Sequence, residues 1–546
     1  MAHENHHHEH EHEGGLRRQL LLILLTAVLL IAAVVIEKTC GLSTWQLLLV
    51  YLVPYLLIGH ETLHEAVEGL AHGDAFNEHF LMSVATIGAL CIGFLPGAET
   101  QFPEAVFVML FFQVGELFEG YAEGQSRRSI AHLMEIRPDV ARVTSEGGES
   151  VMMEPEKVAV GSLITVMAGE RVPLDGVLVE GTSMLDTSAL TGESEPREAV
   201  VGDEVCSGCI NLGRTIRLRT TKAFGESTVA KIIRLVEEAG EQKSQSETFI
   251  TRFARIYTPV VVVLAVLIAV VPWLIAQFSI INYQLSIWIY RALMFLVVSC
   301  PCALVISVPL TFFGGIGGAS RRGILIKGAK FMDVLAKVRV FVFDKTGTLT
   351  HGVVLREDDG SMSRNVVGDQ VKAEAREAVA LLKKLGVAKT VMLSGDRDEV
   401  ARRVAEAVGI DEYHAELLPA DKVALFEKLK TQGTSAFVGD GINDAPVLAR
   451  ADVGIAMGGL GSDAAIDAAD VVLMDDRLEK LPLAIRIARR TIAIARENVW
   501  FAIGVKVLVL LLAAFGLATM WLAVFADVGV TVLAVLNAMR TLHVKE

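Results

Sequence analysis

The sequence predicts a polytopic α-helical membrane protein with two domains outside the bilayer, one rich in β-strands and one of α/β type. Of its 546 residues, 52% are hydrophobic, and the mean hydropathy is +0.47. Average soluble domains are less apolar. Two long polar stretches separate the apolar segments, and the chain is long enough for several domains, because single cores stop growing at roughly 250–300 residues.

Eight apolar segments approach the length of about 20 residues that a membrane helix needs. The run after Arg17 and Arg18 resembles a signal peptide, but no small-residue cleavage site follows it, so we interpret it as the first span. An even number of spans puts both termini on one side, and arginines near the span ends indicate that this side is the cytoplasm. We therefore expect a multi-pass protein of a cell membrane, of the bacterial inner or plasma type, with the lipid bilayer as a partner. The predicted spans lie near 19–36, 44–59, 79–96, 103–120, 257–278, 286–310, 498–516 and 519–538.

The polar stretches differ in their pattern. The first is rich in Val, Thr, Gly and Glu and contains turn motifs, which predicts a mostly β domain. The second alternates apolar strands with amphipathic helices, which predicts a parallel α/β sheet. The predicted order is a His-rich cytoplasmic tail (1–15), helices 1–4 (16–124), the β domain (125–250), helices 5–6 (251–320), the α/β domain (321–490) and helices 7–8 (491–546).

Charge and composition exclude some functions. The net charge of −14 argues against nucleic acid as a partner, which requires a basic face. Six cysteines in so long a chain do not form a dense disulfide framework. The N-terminus alternates histidine with glutamate, ligands that suit divalent metals, and it is either a natural metal-gathering tail or an expression tag. Its candidate ligands are His6, His7, His8, His10 and His12.

The most specific string in the α/β domain is Asp344-Lys345-Thr346-Gly347-Thr348-Leu349-Thr350, which directly follows an apolar strand. Helix capping explains a lone aspartate at a strand end but not seven residues in this order. Such an aspartate can attack a phosphoryl group and form an acyl phosphate. Farther along, the run 439–444 (GDGIND) supplies carboxylates able to hold Mg²⁺. Ser394 ends another strand, and Lys422 is a compact cation suited to a phosphate.

These strings resemble the phosphorylation domain of the P-type ATPases, which has a haloacid-dehalogenase-like fold. The resemblance implies that Asp344 is phosphorylated, that Asp344, Asp440 and the backbone of Thr346 hold Mg²⁺, and that ATP is the phosphoryl donor. It gives Ser394 and Lys422 the role of phosphate contacts, although the family usually has threonine in place of Ser394. The β domain contains Thr191-Gly192-Glu193-Ser194, which resembles the family's actuator loop. Glu193 would there orient water for dephosphorylation.

An apolar segment carries Cys300-Pro301-Cys302, where the proline removes a backbone hydrogen bond. The alternative is a pair of core thiols at a helix kink. Two further charges in predicted spans, Lys506 and Asp527, argue against that alternative, because such charges cost roughly 2.5–3.5 kcal/mol on insertion scales and usually pair or mark an ion path. Two thiolates and one carboxylate favour Zn(II), Cd(II) or Pb(II), whereas Cu(I) prefers ligands that are all soft.

The combination of Cys-Pro-Cys, Lys506 and Asp527 resembles the zinc-, cadmium- and lead-transporting class of heavy-metal P-type ATPases, and the residue pairs expected in a copper pump are missing. The resemblance implies a monomeric translocase that exports these ions from the cytoplasm through an aspartyl phosphate. It also implies that carboxylates in the third and fourth spans help to admit or release the ion. Glu116 is a candidate ion ligand, while Glu78 and Glu104 are either such carboxylates or interfacial groups that face water. The pair Cys206 and Cys209 has zinc or redox spacing, but a tetrahedral site needs two more ligands.

One departure from the family concerns its nucleotide-binding domain, which comes after the phosphorylated aspartate. Asp344 and Asp396 are only 52 positions apart, and a domain typically needs about 50–250 residues. A helix fills most of that interval, and the rest, near 351–367, is polar and linker-like. Either the insert has been removed, or the chain is a natural form that uses another phosphoryl donor or binds ATP poorly. We therefore expect this chain to use ATP slowly, and a passive metal-binding membrane protein is the alternative function.

Overall fold

The computed structural model describes the backbone in the following ranges: 2–72, 78–95, 98–134, 138, 140–144, 150–187, 196–230, 245–277, 285–299, 302–351, 354–356, 365–367, 370–439, 444–458, 463–514 and 517–542. The chain divides into two compact units. The first comprises Met1–Ser126, Ser246–Thr311 and Ala493–Arg540, and it contains the apolar helices. The second comprises Arg127–Gln245, Phe312–Ile492 and Thr541–Glu546, and it contains the sheets.

The apolar helices follow the order that the sequence predicts. Helix α1 extends back through the His-rich stretch, and α14 is a long helix of 35 residues. These helices are α1 (Ala2–Thr39), α2 (Thr44–Ala71), α3 (Glu78–Ile92), α4 (Phe102–Met134), α5 (Gln245–Gln277), α6 (Leu285–Val298), α7 (Cys302–Ser320), α14 (Lys480–Ala514) and α15 (Met520–Ala538).

One helix covers all or most of seven of the predicted spans, and the span near 286–310 is divided between α6 and α7. Within the described residues, five segments are both long enough and apolar enough to cross a bilayer. The third predicted span forms a helix of only 15 residues. The membrane-spanning character of the chain is thus clear, whereas the count of eight stays a prediction. The five segments are Arg17–Thr39, Thr44–Ala71, Tyr257–Ile275, Leu285–Ser320 and Met520–Leu542.

The first unit has an apolar core and an apolar exterior. Side chains such as Tyr51, Val106 and Val297 are fully buried where helices pack together. Other large apolar side chains, including Leu21 and Ile31 on α1, are about two-thirds exposed. A soluble protein rarely leaves so much apolar surface in contact with water. This distribution fits helices that face lipid on the outside.

The first polar stretch forms the β domain, as predicted. Its strands form two antiparallel sheets in the described residues, with the orders β2-β1-β3-β9-β4-β7 and β6-β5-β8. Alternate side chains such as Ile164, Leu178 and Leu218 face the core. The strands are β1 (Ala141–Thr144), β2 (Ser150–Met153), β3 (Leu163–Val166), β4 (Gly176–Glu180), β5 (Ser183–Asp186), β6 (Arg197–Ala199), β7 (Glu204–Val205), β8 (Ile210–Asn211) and β9 (Ile216–Thr220).

The second polar stretch forms the predicted α/β domain. Its described strands make a sheet with the order β10-β18-β17-β16-β11-β14-β15, parallel except for the edge pair β10 and β18. The strands are β10 (Ile324–Ile326), β11 (Val340–Asp344), β14 (Lys389–Leu393), β15 (Glu412–His414), β16 (Ser435–Gly439), β17 (Val453–Ala456) and β18 (Val471–Leu473). The helices are α8 (Ala329–Lys337), α9 (Ala375–Lys384), α10 (Asp398–Val408), α11 (Pro419–Lys430), α12 (Ala445–Leu448) and α13 (Asp463–Ala468).

The segment between β11 and α9 differs from the linker that its composition predicts. Strands β12 (Val354–Arg356) and β13 (Asn365–Val367) pair in an antiparallel manner, with Leu355 opposite Val366. The valines of these two short stretches favour such pairing, because β-branched residues are enriched in strands. The interval between Asp344 and α9 therefore includes a small two-stranded sheet.

Candidate functional site

The register of the α/β sheet determines what surrounds Asp344. Strand β11 is central, and it pairs in parallel with β14 on one side and with β16 on the other. Asp344 lies opposite Leu393, and Phe343 lies opposite Val438. The carboxyl ends of three neighbouring strands therefore meet at one edge of the sheet, which is where parallel α/β folds bind their ligands.

Lys422 links two carboxylates at this edge. Its Nζ donates to Asp344 Oδ1 at 2.5 Å and to Asp444 Oδ1 at 3.1 Å. All three side chains are largely buried, with 11% of Lys422 and 9% of Asp344 exposed. A Cβ atom at Gly439 would lie 2.8 Å from Asp444 Oδ2, so glycine at that position leaves room for the carboxylate. The predicted nucleophile and the predicted phosphate-binding lysine are thus in direct contact.

The electrostatics of this trio perturb its titration. Burial, reinforced by the negative charge of Asp444, raises the pKa of Asp344 to about 6, and Lys422 limits the rise. Burial alone would lower the pKa of Lys422, but the charges of Asp344 and Asp444 raise it. The lysine therefore stays protonated and offers a positive charge where a phosphoryl group would arrive.

The loop after Asp344 turns sharply. The Thr346 N–H donates to Asp344 Oδ2 at 3.0 Å. Gly347 follows with φ of 73°, a left-handed conformation that glycine adopts without steric cost. Lys345 is buried and forms an ion pair with Asp396. The loop thus points a backbone donor at the carboxylate and anchors its first side chain on the neighbouring strand end.

Ser394 lies where the sequence predicts it, one residue past β14. It is buried, and its hydroxyl oxygen accepts a 3.1 Å hydrogen bond from the Asp396 N–H. Two other predicted catalytic residues, Asp440 and Glu193, lie outside the residues that the structure describes. Their roles stay predictions.

In the membrane unit, Lys506 brings three helices together. Its Nζ donates to Asp527 Oδ1 at 2.7 Å and to the carbonyl oxygen of Val298 at 3.2 Å. Val298 ends α6, two residues before Cys300, and the last carbonyls of a helix have no intrahelical partner. The predicted lysine and aspartate therefore lie beside the helix break that the Cys-Pro-Cys motif predicts. Cys300 lies outside the described residues, and only the backbone of Cys302 is described, at the start of α7.

The three predicted glutamates have different surroundings. Glu104 is in the first turn of α4 and accepts a 3.0 Å hydrogen bond from the hydroxyl of Tyr290 on α6. That hydroxyl oxygen also accepts from the N–H of Met520, the first residue of α15, at 3.1 Å. Glu78 begins α3, and Glu116 is half-buried within α4. Glu104 thus belongs to a polar contact between three helices instead of simply facing water.

The two cysteines of the β domain are core residues. Cys209 is buried and Cys206 is partly buried, and both are free thiols. Burial raises the pKa of Cys206 to about 11 and that of Cys209 to about 12. Metal binding and disulfide chemistry both need the thiolate, which this environment disfavours. Among the described residues, no group of three or more His, Cys, Asp and Glu side chains is arranged to hold a metal ion.

Sequence reasoning missed two contacts. Lys345 belongs to a motif, but its partner Asp396 is distant in sequence, so only the strand register reveals the pair. Tyr290 belongs to no recognisable motif, and a tyrosine in an apolar helix is usually interpreted as interfacial. Its contact with Glu104 depends on how α4 and α6 pack.

Comparison with known proteins finds matches to both predicted domains and to most of the chain. A family model described as the P-type ATPase actuator domain matches residues 135–237, and one described as haloacid dehalogenase-like hydrolase matches residues 362–452. A cadmium, zinc and cobalt-transporting ATPase from Bacillus subtilis is 44% identical, with 91% of this chain and 83% of the relative covered. A zinc-transporting ATPase from Synechocystis is also 44% identical, with 90% and 80% covered.

Solved structures agree in fold. A zinc-transporting PIB-type ATPase in its E2.Pi state is 32% identical, with 96% of this chain and all of that chain covered and a TM-score of 0.54. A second solved structure of a zinc-transporting PIB-type ATPase gives a TM-score of 0.51 at the same identity, with 95% and 99% covered. From the two domain matches, the curated relatives and the solved structures together, this chain belongs to the heavy-metal (PIB) class of the P-type ATPases.

Proposed function

We propose that this chain exports Zn(II), and also Cd(II) and Pb(II), from the cytoplasm through a cycle in which Asp344 is phosphorylated. The contact between Lys506 and Asp527 beside the end of α6 carries the proposal. Thiolates of Cys300 and Cys302 with the Asp527 carboxylate would surround a divalent ion with one excess negative charge, which Lys506 would neutralise. When the ion leaves, Lys506 serves as the counter-ion of Asp527, and the 2.7 Å contact between them supports that role.

The charge balance favours a divalent over a monovalent cargo. A monovalent ion in the same ligand set would leave two excess negative charges and a single lysine to offset them. Buried charge that is not compensated is costly. The names of the curated relatives, which specify cadmium, zinc and cobalt, support a divalent cargo as well.

The chemical step divides hydrolysis into two displacements. An oxygen of the Asp344 carboxylate attacks the γ-phosphorus of ATP, the bond to the leaving oxygen breaks, and ADP departs. Water then attacks the phosphorus of the acyl phosphate, and inorganic phosphate leaves as the carboxylate is regenerated. Lys422 would contact the transferred phosphoryl group, as would Ser394, and Glu193 would accept the proton of the attacking water.

The residues around Asp344 suit Mg²⁺. Two carboxylates, those of Asp344 and Asp444, lie against a single lysine, and hard oxygen donors are the ligands that this cation prefers. We assign it to Asp344, the Thr346 backbone and Asp440. When bound, Mg²⁺ offsets the charge of the phosphoryl oxygens.

The use of ATP is a separate question, because we propose that the nucleotide-binding domain is absent. The alignment with the Bacillus relative extends over 594 residues, more than the 546 of this chain, so the relative has residues with no counterpart here. Between Asp344 and Asp396, the described residues include the pair β12 and β13 and the helix α9. We therefore expect slow turnover at micromolar ATP.

The ion path completes the proposal. Glu116 on α4 is assigned as a further ion ligand, and Glu104 and Glu78 would help to release or admit the ion. The histidines of the N-terminal stretch would gather metal on the cytoplasmic side, where both termini would lie. The transporting species would be a monomer.

Zinc flux into reconstituted vesicles tests the proposal. The wild-type chain is compared with Asp344→Asn and Asp527→Asn, at micromolar and millimolar ATP, and phosphorylation at Asp344 is measured separately with inorganic phosphate. We expect both variants to lose driven zinc uptake and only Asp344→Asn to lose phosphorylation. Zinc flux that is equal in the wild type and Asp344→Asn would instead support a passive metal-binding protein. Normal zinc-stimulated turnover at micromolar ATP would refute the proposal that the nucleotide-binding domain is absent.

A further inference from the structure

Lys372 is a completely buried lysine that the mechanism above does not use. Its side chain has 0% exposure, and it lies in the chain between the two-stranded sheet and α9. Burying an ammonium group is costly unless several oxygens surround it. The position of these oxygens shows what the lysine holds.

Lys372 contacts the phosphorylation loop, residues 345–349, and one other segment. Its Nζ donates to the Gly347 carbonyl at 2.8 Å and to the Asp476 carbonyl at 3.3 Å, and it forms an ion pair with Asp476 Oδ1 at 2.7 Å. The Lys372 N–H also donates to the Leu349 carbonyl at 3.0 Å. Both its main chain and its side chain therefore bind the loop that begins after Asp344.

The contact with Gly347 is the informative one. Gly347 is three residues past Asp344 and adopts φ of 73°, and glycine permits more backbone conformations than any other residue. The neighbouring Thr346 N–H donates to the Asp344 carboxylate. Fixing the Gly347 carbonyl therefore limits the rotation of a loop whose backbone donor orients the nucleophile.

Stability alone does not require a lysine here. The Asp476 side chain is 57% exposed, so water can solvate its carboxylate without Lys372. An apolar side chain of similar volume would fill the same space without the desolvation of a charge, so the main loss on replacing Lys372 is the donor to the Gly347 and Asp476 carbonyls. The ammonium group is useful chiefly because it binds two carbonyl oxygens of different segments at once.

We propose that Lys372 is a positioning residue for phosphoryl transfer, which acts through Gly347 by holding the phosphorylation loop in the conformation that receives a phosphate at Asp344. It differs from Lys422, which contacts Asp344 itself, and from Lys345, which pairs with Asp396. The inference rests on the proposed role of Asp344.

The test measures how the full chain takes up inorganic phosphate with Mg²⁺, as a function of phosphate concentration. We expect Lys372→Met to raise the half-saturating phosphate concentration at least tenfold, while the maximal phosphoenzyme level stays within twofold and the melting temperature changes little. Lys372→Arg keeps the positive charge, and we expect its half-saturating phosphate concentration to be within threefold of the wild-type value. A half-saturating concentration that is unchanged in Lys372→Met would overturn the proposal, and so would the absence of any recovery in Lys372→Arg.

Lys480→Met is the matched control. Lys480 pairs with Asp475 at 2.5 Å and is also largely buried, close in sequence to Asp476. We expect Lys480→Met to lower the melting temperature and to change the half-saturating phosphate concentration by no more than twofold. An equal affinity loss in Lys480→Met and Lys372→Met would mean a general structural effect and would overturn the positioning role.

Two further comparisons make the result decisive. If Lys372→Met does not fold, Lys372→Gln removes the charge but keeps an N–H donor in the same place: weaker phosphate binding than in the wild type supports the proposal, and unchanged binding overturns it. Asp344→Asn separates the two levels of inference. If the wild type takes up no more phosphate than Asp344→Asn, the proposed function fails, whereas uptake that is normal in both the wild type and Lys372→Met refutes only the role of Lys372.

Discussion

Lys506 on α14 donates a 2.7 Å hydrogen bond to Asp527 on α15, and the two side chains are only 10% and 8% exposed. Each residue thus supplies a counter-charge to the other. Removing one partner of a buried pair leaves an unpaired charge, which costs about 3–5 kcal/mol, whereas removing both is often neutral. The pair also lies beside the end of α6, whose last residue, Val298, comes two positions before Cys300 in the sequence.

The first prediction is that substitutions at Lys506 and Asp527 have non-additive effects on stability. We expect Lys506→Met and Asp527→Asn each to lower the melting temperature of the detergent-purified protein, and the double variant to recover most of the loss. Zinc-stimulated activity should stay absent in Asp527→Asn and in the double variant, because the carboxylate ligand is missing. Additive melting losses would show that the two residues act independently.

The second prediction concerns the hydrogen bonds of Tyr290, whose hydroxyl joins Glu104 to the first N–H of α15. Tyr290→Phe removes both bonds, and we expect a loss of about 1–3 kcal/mol in stability because two buried groups lose a partner. If Glu104 lies on the ion path, the zinc concentration for half-maximal activity should shift as well.

Tyr55→Phe is the control for Tyr290→Phe. Tyr55 bonds the Thr86 hydroxyl at 2.9 Å between α2 and α3, and no predicted ion ligand takes part. It should lose comparable stability without any change in zinc dependence. An equal shift of the half-maximal zinc concentration in both variants would show that Glu104 is not on the ion path.

The residues around Asp344 were predictable because strand and motif coincide there. An apolar strand followed by a seven-residue motif places the aspartate at a sheet edge, and the parallel pattern places Ser394 beside it. Local sequence determines such positions strongly, because strand ends leave little freedom. The strand pattern does not predict the contact between Lys422 and Asp344, because the two residues are 78 positions apart.

Contacts that depend on tertiary packing were not predictable. Helix rotation and strand order determine the partners of Lys372, Lys345 and Tyr290. Local periodicity in the sequence predicts neither. The composition around β12 and β13 predicts a linker, because Gly, Ser and charged residues dominate it, and the short pairing of the two strands is invisible at that level. The number of membrane spans is hard to predict for a similar reason. Polar residues shorten the apolar part of a helix, and such a helix can still pack among the other apolar helices.

The third prediction concerns the thiols of the β domain. The raised pKa values of Cys206 and Cys209, about 11 and 12, leave almost no thiolate at about pH 8. We expect iodoacetamide to label exposed Cys40 at least tenfold faster than Cys209 in the folded protein, as measured by peptide mass spectrometry. Equal labelling in denaturant is the control. Rapid labelling of Cys209 in the native protein would contradict its burial and reopen a redox or metal role.

The fourth prediction is based on the pKa of Asp344, which burial and Asp444 raise from 3.8 to about 6. For a group whose pKa is raised by folding, the stability contribution is fully present below the unfolded value and is lost as the pH rises through the folded value. The contribution of Asp344 to stability therefore falls as the pH rises from about 4 to about 6. Binding of beryllofluoride, which needs the ionised carboxylate, should show the opposite trend and weaken as the pH falls below about 6.

Substitutions at the two neighbours of Asp344 should move that midpoint in opposite directions. Asp444→Asn removes a negative charge that raises the pKa of Asp344, so the midpoint should shift to lower pH. Lys422→Met removes the positive charge that lowers it, so the midpoint should shift to higher pH. The measurement is the increase in melting temperature caused by beryllofluoride with Mg²⁺ across about pH 4.5–8, compared with Asp344→Asn as a non-binding control. Shifts of the same sign in both variants would show that the charges of Asp444 and Lys422 do not control the ionisation of Asp344.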